Sequence, residues 1–214
     1  MNEIVNDILA ETAGMKFQML ADGQLEYIIS NLASVMQVEG DAVELGANVG
    51  VTSSYIQRLL IRFNSLPLHI VSVVPDKQLH VYDSFEGLPP KTPEDGATPC
   101  DKGASAVSIE QFTQTFKDAG VPLPVINKGF FGDIPDEKYP DRICFAFLDG
   151  DFYGSIMDSF KKIYHKVQPG GIILVHDYKW SNFPGVKKAC ECFLADKPEK
   201  DEQEIDGIGI IRKQ

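Results

Sequence analysis

Ala42-Val43-Glu44-Leu45-Gly46-Ala47-Asn48-Val49-Gly50 is the stretch that anchors the fold of this chain. A short apolar run leads to Glu44, and two glycines bracket a turn. A helix-like segment follows from Thr52 to Phe63, with Ser53, Tyr55, Ile56, Leu59, Leu60 and Phe63 on one face. Strand, glycine turn and helix is the arrangement that lets backbone approach a nucleotide-like ligand closely. Glycine tolerates unusual φ/ψ and leaves room where a Cβ would stand. Glu44 precedes the turn, where a carboxylate can meet a cationic or hydroxylated ligand.

The same alternation continues downstream. Leu79–Tyr82 reads as a strand ending at Asp83-Ser84-Phe85-Glu86-Gly87, and Leu123–Ile126 as a short one. Arg142–Leu148 is almost wholly apolar, as a central strand buried on both faces should be, and ends in Asp149-Gly150-Asp151. Ile172–Val175 ends in His176-Asp177-Tyr178, and Ile208–Arg212 closes the series after a charged stretch, Asp196–Glu204. Helical patterns fall between them: Val107–Ala119 capped by Gly120, a segment with Ile156, Phe160 and Ile163 on one face, and Gly185–Ala195. Alternating strands and helices predict an α/β fold, a doubly wound and mostly parallel sheet with crossover helices on both faces. Residues 1–39 carry two apolar stripes at helical spacing, Ile4/Val5/Ile8/Leu9 and Leu25/Ile28/Ile29/Leu32/Met36. They read as an N-terminal helical cover on a single unit spanning 40–214. In such sheets ligands bind beyond the carboxyl ends of the strands. Four strands end in polar residues there (Glu44, Asp83, Asp149 and His176-Asp177), and their convergence on one rim is the main functional signal.

Four segments have more than one reading. Leu68–Val74 is apolar and β-branched: an extra strand or edge hairpin, or a contact between copies in a homo-oligomer. Residues 89–106, rich in Pro, Gly, Thr and Ser, are an active-site lid or a disordered insertion. Phe130 and Phe131, in the loop after the third strand, stack on a base or plug the core. Met15, Phe17 and Met19, between the first two helices, either cover the sheet or touch a substrate.

Composition narrows the classes. The chain has 214 residues, 43% of them hydrophobic, enough for one domain with a buried core. A formal net charge of -11 argues against nucleic acid as partner, because phosphate neutralisation needs clustered Lys and Arg, and suits a small-molecule acceptor. No apolar run approaches a membrane span, and the first residues show no signal-peptide pattern. The four cysteines, Cys100, Cys144, Cys190 and Cys192, match no zinc motif. They read as free thiols of a cytoplasmic protein.

The motif Val43-Glu44-Leu45-Gly46-x-Asn48-x-Gly50 resembles the first motif of class I S-adenosylmethionine-dependent methyltransferases, which have a Rossmann-like fold. Together with Tyr82–Pro89, Leu148-Asp149-Gly150-Asp151-Phe152-Tyr153 and Pro169-Gly170-Gly171…His176-Asp177-Tyr178, it resembles the macrocin O-methyltransferase family. Those enzymes methylate sugar hydroxyls of natural products and depend on magnesium. The resemblance implies S-adenosylmethionine as cofactor, with Glu44, Gly46, Asn48 and Gly50 at its methionine and ribose end. Asp83 would hold the ribose hydroxyls, and Ser84 and Phe85 would border the adenine. Asp149 and Asp177 would bind the divalent ion, and Asp151 would be the general base for the acceptor hydroxyl.

This chain departs from the family in one place. Members carry two adjacent acids where His176-Asp177 stands. Imidazole suits zinc, iron, nickel or manganese better than magnesium. His176 is then a ligand in a retuned site, the catalytic base, or a spacer in a site without metal. Two rival functions remain. A nicotinamide-dependent oxidoreductase expects Gly-x-Gly-x-x-Gly with an acid about 20 residues on; here the loop is Gly46-x-x-x-Gly50 and Asp83 lies farther. A non-catalytic cofactor-binding protein of the same fold is the other.

Overall fold

The computed structural model describes residues 2–11, 20–66 and 75–214. Met15, Phe17, Met19 and the 68–74 run lie outside them. In chain order the elements are α1 (Asn2–Glu11), α2 (Gln24–Ser34), β1 (Asp41–Leu45), α3 (Val51–Asn64), β2 (Leu79–Asp83), α4 (Ile109–Ala119) and β3 (Val125–Lys128). Then come β4 (Ile143–Leu148), α5 (Tyr153–Ile163), β5 (Val167–Tyr178), α6 (Pro184–Leu194), β6 (Glu202–Ile205) and β7 (Gly207–Arg212). One seven-stranded sheet has the order β3-β2-β1-β4-β5-β7-β6. The pairs from β3 through β5 are parallel, and β7 runs antiparallel to both β5 and β6. The sheet is a doubly wound Rossmann-like fold, as the alternation predicted.

The period-2 geometry of the strands divides the core. In β1, Ala42 faces the layer built with α2, α3 and α4, while Val43 and Leu45 face the layer built with α5 and α6. In β4 and β5, Phe145, Phe147, Ile172 and Leu174 go to the first layer; Ala146, Leu148, Ile173 and Val175 go to the second. Val5 and Ile8 of α1 and Leu25, Ile28, Ile29 and Leu32 of α2 join the first layer. α2 packs on β5, and α1 packs on α2 and α3.

Three details differ from the sequence reading. Pro169-Gly170-Gly171 lies inside β5: Ile143 pairs with Val167 and Phe145 with Ile172, so the strand bulges there. The charged stretch before β7 holds a strand, β6, whose glutamates face solvent at the sheet edge, which leaves too few apolar residues to signal it. Residues 89–106 are not structureless. Asp95, buried in a 3₁₀ turn (Pro93–Asp95), accepts from the Thr92 N–H at 2.7 Å and hydroxyl at 3.0 Å, and from the Tyr153 N–H at 2.6 Å. It thereby caps the start of α5. Leu88 and Gly103–Ala104 close the segment with paired main-chain bonds of 2.8–2.9 Å.

Candidate active site

The strand ends are in register. Leu45 lies opposite Tyr82 on one side and Leu148 on the other, and Leu148 opposite Val175. The residues just beyond them, Gly46, Asp83, Asp149 and His176, therefore meet on one rim. Order reverses between β1 and β4, the switch point where open α/β sheets bind ligands. Gly46 is required there: its φ is +94°, and a Cβ would lie 1.9 Å from the Asp149 carbonyl oxygen.

A cavity of about 290 Å³ opens over this point. Its lining includes Gly46, Asn48, Asp83 and Ser84 at the ends of β1 and β2, and Asp149, Gly150, Asp151, Ser155 and Asp158 from the end of β4 into α5. Leu88, Pro89, Pro90, Ala104 and Ser105 of the Pro-rich segment line it too, as do Phe130 and Phe131. Both phenylalanines thus border the cavity. Among the described residues that line it are four aspartates and no lysine, arginine or histidine.

Asp83 organises two loops at once. Its Oδ2 accepts from the Ala47 and Asn48 N–H groups at 2.9 and 3.0 Å, and its Oδ1 from the Phe85 N–H at 2.8 Å. Asn48, at φ +48°, reaches across to the Ser105 carbonyl at 3.1 Å and so ties the glycine turn to the Pro-rich wall. Ser84 Oγ donates to the Gly87 carbonyl and accepts from the Glu86 N–H, closing the turn after β2.

Three residues assigned to the cofactor from sequence do not line the cavity. Glu44 is buried on the α3 side of β1 and accepts from the Ser53 hydroxyl. Strand pleat turns it away from the rim that residues beyond the strand end reach. Burial, with a smaller contribution from Asp149 and Asp83, pushes its carboxyl up to about 8. Phe85 takes φ +54°, which swings its ring into an edge contact with Phe112 at 5.7 Å in the core. Gly50 is the N-cap of α3, under the ring of Phe112.

Asp149, His176 and Asp177 bring one ligand atom each within 4.8 Å of one another. His176 Nδ1 is 3.0 Å from Asp149 Oδ1 and 3.4 Å from Asp177 Oδ1. Adjacent ligands around an ion with bonds of about 2.1 Å stand about 3 Å apart, so the donor set fits a small divalent ion. Burial disfavours the imidazolium, but Asp149 and Asp177 outweigh it and hold His176 protonated well above its ordinary range. An ion held by these three residues would take the place of that Nδ1 proton. His176 is buried and both its nitrogens are engaged, Nε2 by Gln24 Oε1 at 3.2 Å, so it does not face the cavity as a base. Asp151 does face it, at φ +59°; burial first, then Asp149 and Asp177, raise its carboxyl to about 9. Sequence reasoning missed Gln24, Asp95 and Asp158. Gln24 is remote in sequence from His176, and no local pattern marks it or Asp158; Asp95 closes a local Thr92-Pro93-Glu94-Asp95 capping box, but its contact with Tyr153 lies 58 residues away.

A family model described as macrocin-O-methyltransferase (TylF) matches residues 11–214. The chain is 30% identical over 150 residues to demethyldecarbamoylnovobiocin O-methyltransferase of Streptomyces niveus, covering 66% of this chain and 53% of that protein. It is 27% identical over 149 residues to a tetracenomycin-C rhamnosyl 4'-O-methyltransferase of Streptomyces olivaceus, covering 66% and 54%. The matches span about half the length of these curated relatives. Among solved structures, the O-methyltransferase NovP superposes with a TM-score of 0.72 at 25% identity, covering 89% of this chain and 79% of its own. The calicheamicin methyltransferase CalS11 shares the fold, with a TM-score of 0.68 at 16% identity over 99% of this chain and 91% of its own.

Proposed function

The chain belongs to the macrocin O-methyltransferase family, and we propose that it transfers the methyl group of S-adenosylmethionine to a hydroxyl of a small molecule, with a divalent ion at Asp149, His176 and Asp177. The observation that carries this reading is the cavity lining: four aspartates beside a glycine turn, with no basic side chain among the described residues. A sulfonium cofactor with a ribose diol is favoured in such a cleft. The diphosphate of a nicotinamide dinucleotide meets like charge there, which disfavours the oxidoreductase reading.

Asp83 faces the cavity with its loop contacts already made, so the ribose hydroxyls meet a carboxylate that needs no rearrangement. Asp149 and Asp151 line the same cavity, where the acceptor hydroxyl would lie. A divalent ion there supplies charge that lowers the hydroxyl pKa. Neutralising Asp149 and Asp177 also removes the like charge that helps hold the Asp151 proton, leaving a carboxylate that can take the hydroxyl proton. The walls orient oxygen, methyl and sulfur in line and exclude water, which is where much of the rate comes from. The relatives' names point to sugar-bearing natural products as the acceptor class.

The test is incubation with S-adenosylmethionine and a panel of glycosides and phenols, read by mass spectrometry. A product one methyl heavier, together with S-adenosylhomocysteine, supports the proposal. Cofactor binding with no product from any hydroxyl acceptor favours the non-catalytic reading. Asp151→Asn should cut turnover by about 10²–10⁴-fold while leaving cofactor affinity near that of the parent. Unchanged turnover would remove Asp151 from the base role.

A further inference from the structure

We propose that Gln24 is a positioning residue that, through His176, makes the Asp149–His176–Asp177 cluster a nitrogen-containing site selective for a divalent first-row transition ion over magnesium. The inference rests on the ion-assisted reading above and concerns which ion the cluster holds.

Gln24 opens α2 and is buried, far in sequence from the strand ends. Its Nε2 donates to the Asp206 carbonyl at 2.9 Å, and its Oε1 accepts from the Ala21 N–H at 2.9 Å. A carbonyl only accepts and a main-chain N–H only donates, so these two partners fix which end of the amide is oxygen. That oxygen lies 3.2 Å from His176 Nε2, so Nε2 carries a hydrogen. Nδ1 is then the nitrogen turned to Asp149 and Asp177, at 3.0 and 3.4 Å. A ring with one N–H tied to an oxygen acceptor and the other nitrogen aimed between carboxylates is how metal-binding histidines are held.

The surroundings keep the amide in place. Asp206 lies in the turn between β6 and β7, and the next residue is Gly207 at φ +74°, where a Cβ would lie 2.7 Å from Gln24 Nε2. Phe147 meets the imidazole edge-on, with ring centroids 6.0 Å apart. The ring is therefore locked to present Nδ1. One imidazole among two carboxylates favours manganese, iron, cobalt, nickel or zinc over magnesium, which prefers oxygen alone.

The experiment uses the full chain. Calorimetry gives Mn²⁺ and Mg²⁺ affinities, and pulsed EPR of the Mn²⁺-loaded protein reads nitrogen coupling. The parent should show a coupled nitrogen. His176→Asp should lose it and narrow the Mn²⁺-to-Mg²⁺ affinity ratio by about tenfold or more. Gln24→Leu should weaken Mn²⁺ binding about 10–100-fold with little effect on Mg²⁺, and Gln24→Glu, which keeps the acceptor oxygen, should retain the coupling. Should Gln24→Leu fail to fold, Gly207→Ala displaces the same amide and should weaken Mn²⁺ binding in the same way. Mn²⁺ bound without nitrogen coupling, or Mn²⁺ affinity unchanged in a folded Gln24→Leu, overturns the inference and leaves ion assistance standing. A parent that binds neither ion overturns both, and S-adenosylmethionine binding then still reports on the cofactor site.

Discussion

Asp83 and Glu44 are both acids near the ends of adjacent strands, yet the fold uses them in opposite ways. Asp83, the last residue of β2, reaches the rim and accepts from three main-chain N–H groups. Glu44 is one residue short of the end of β1, and the pleat sends it into the core against Ser53. That an acid stood near a strand end was legible in the sequence; which way its side chain turned depended on the strand's exact end. The consequence for Glu44 is measurable. Its folded carboxyl titrates near 8, above the ordinary 4.5, so the native state binds the proton more tightly than the unfolded chain. Stability is full below about pH 4.5 and is lost as pH rises through about 8. Glu44→Gln has no proton to lose. In urea unfolding it should gain on the parent by about 2–4 kcal/mol between pH 5 and pH 9. A parallel pH dependence of the two proteins would show that Glu44 is ionised in the fold.

At the scale of elements, apolar patterning found β1, β2, β4, β5 and most of the helices, because the strands bury side chains in the two core layers and each helix buries one face. It failed where an element is held by polar contacts instead. β6 sits at the sheet edge with Glu202 and Glu204 in solvent, and Glu204 pairs with Arg212 of the neighbouring strand at 2.8 Å. The Pro-rich wall is ordered by Asp95 rather than by apolar burial, and its composition alone resembles a loose loop. Asp95 satisfies the first N–H of α5 and two groups of Thr92. Asp95→Ala should lower the unfolding free energy by about 2–3 kcal/mol, since it leaves buried donors unpaired. It should also open residues 89–106 to limited proteolysis and weaken cofactor binding. A variant as resistant to protease as the parent would mean that the main-chain bonds of Leu88 with Gly103 and Ala104 hold the wall by themselves.

The whole molecule joins a negatively charged chain to a cavity of the same sign. The sheet order places the switch point beside four carboxylates, and the net charge of -11 extends that field outward. The sheet and the rim were legible from strands ending in Asp83, Asp149 and His176-Asp177. Gln24 was not, because it reaches His176 across 152 residues and belongs to a helix whose pattern speaks only of burial. The central claim is that this cleft holds a sulfonium nucleoside rather than a dinucleotide. A thermal unfolding titration with S-adenosylmethionine, S-adenosylhomocysteine and NAD tests it most directly. At about 100 times its dissociation constant a ligand adds about 2.7 kcal/mol, a rise of about 5–10 °C for a chain of this size. That rise is expected with the first two and none with NAD. A rise with NAD and none with either sulfur-bearing nucleoside would contradict it.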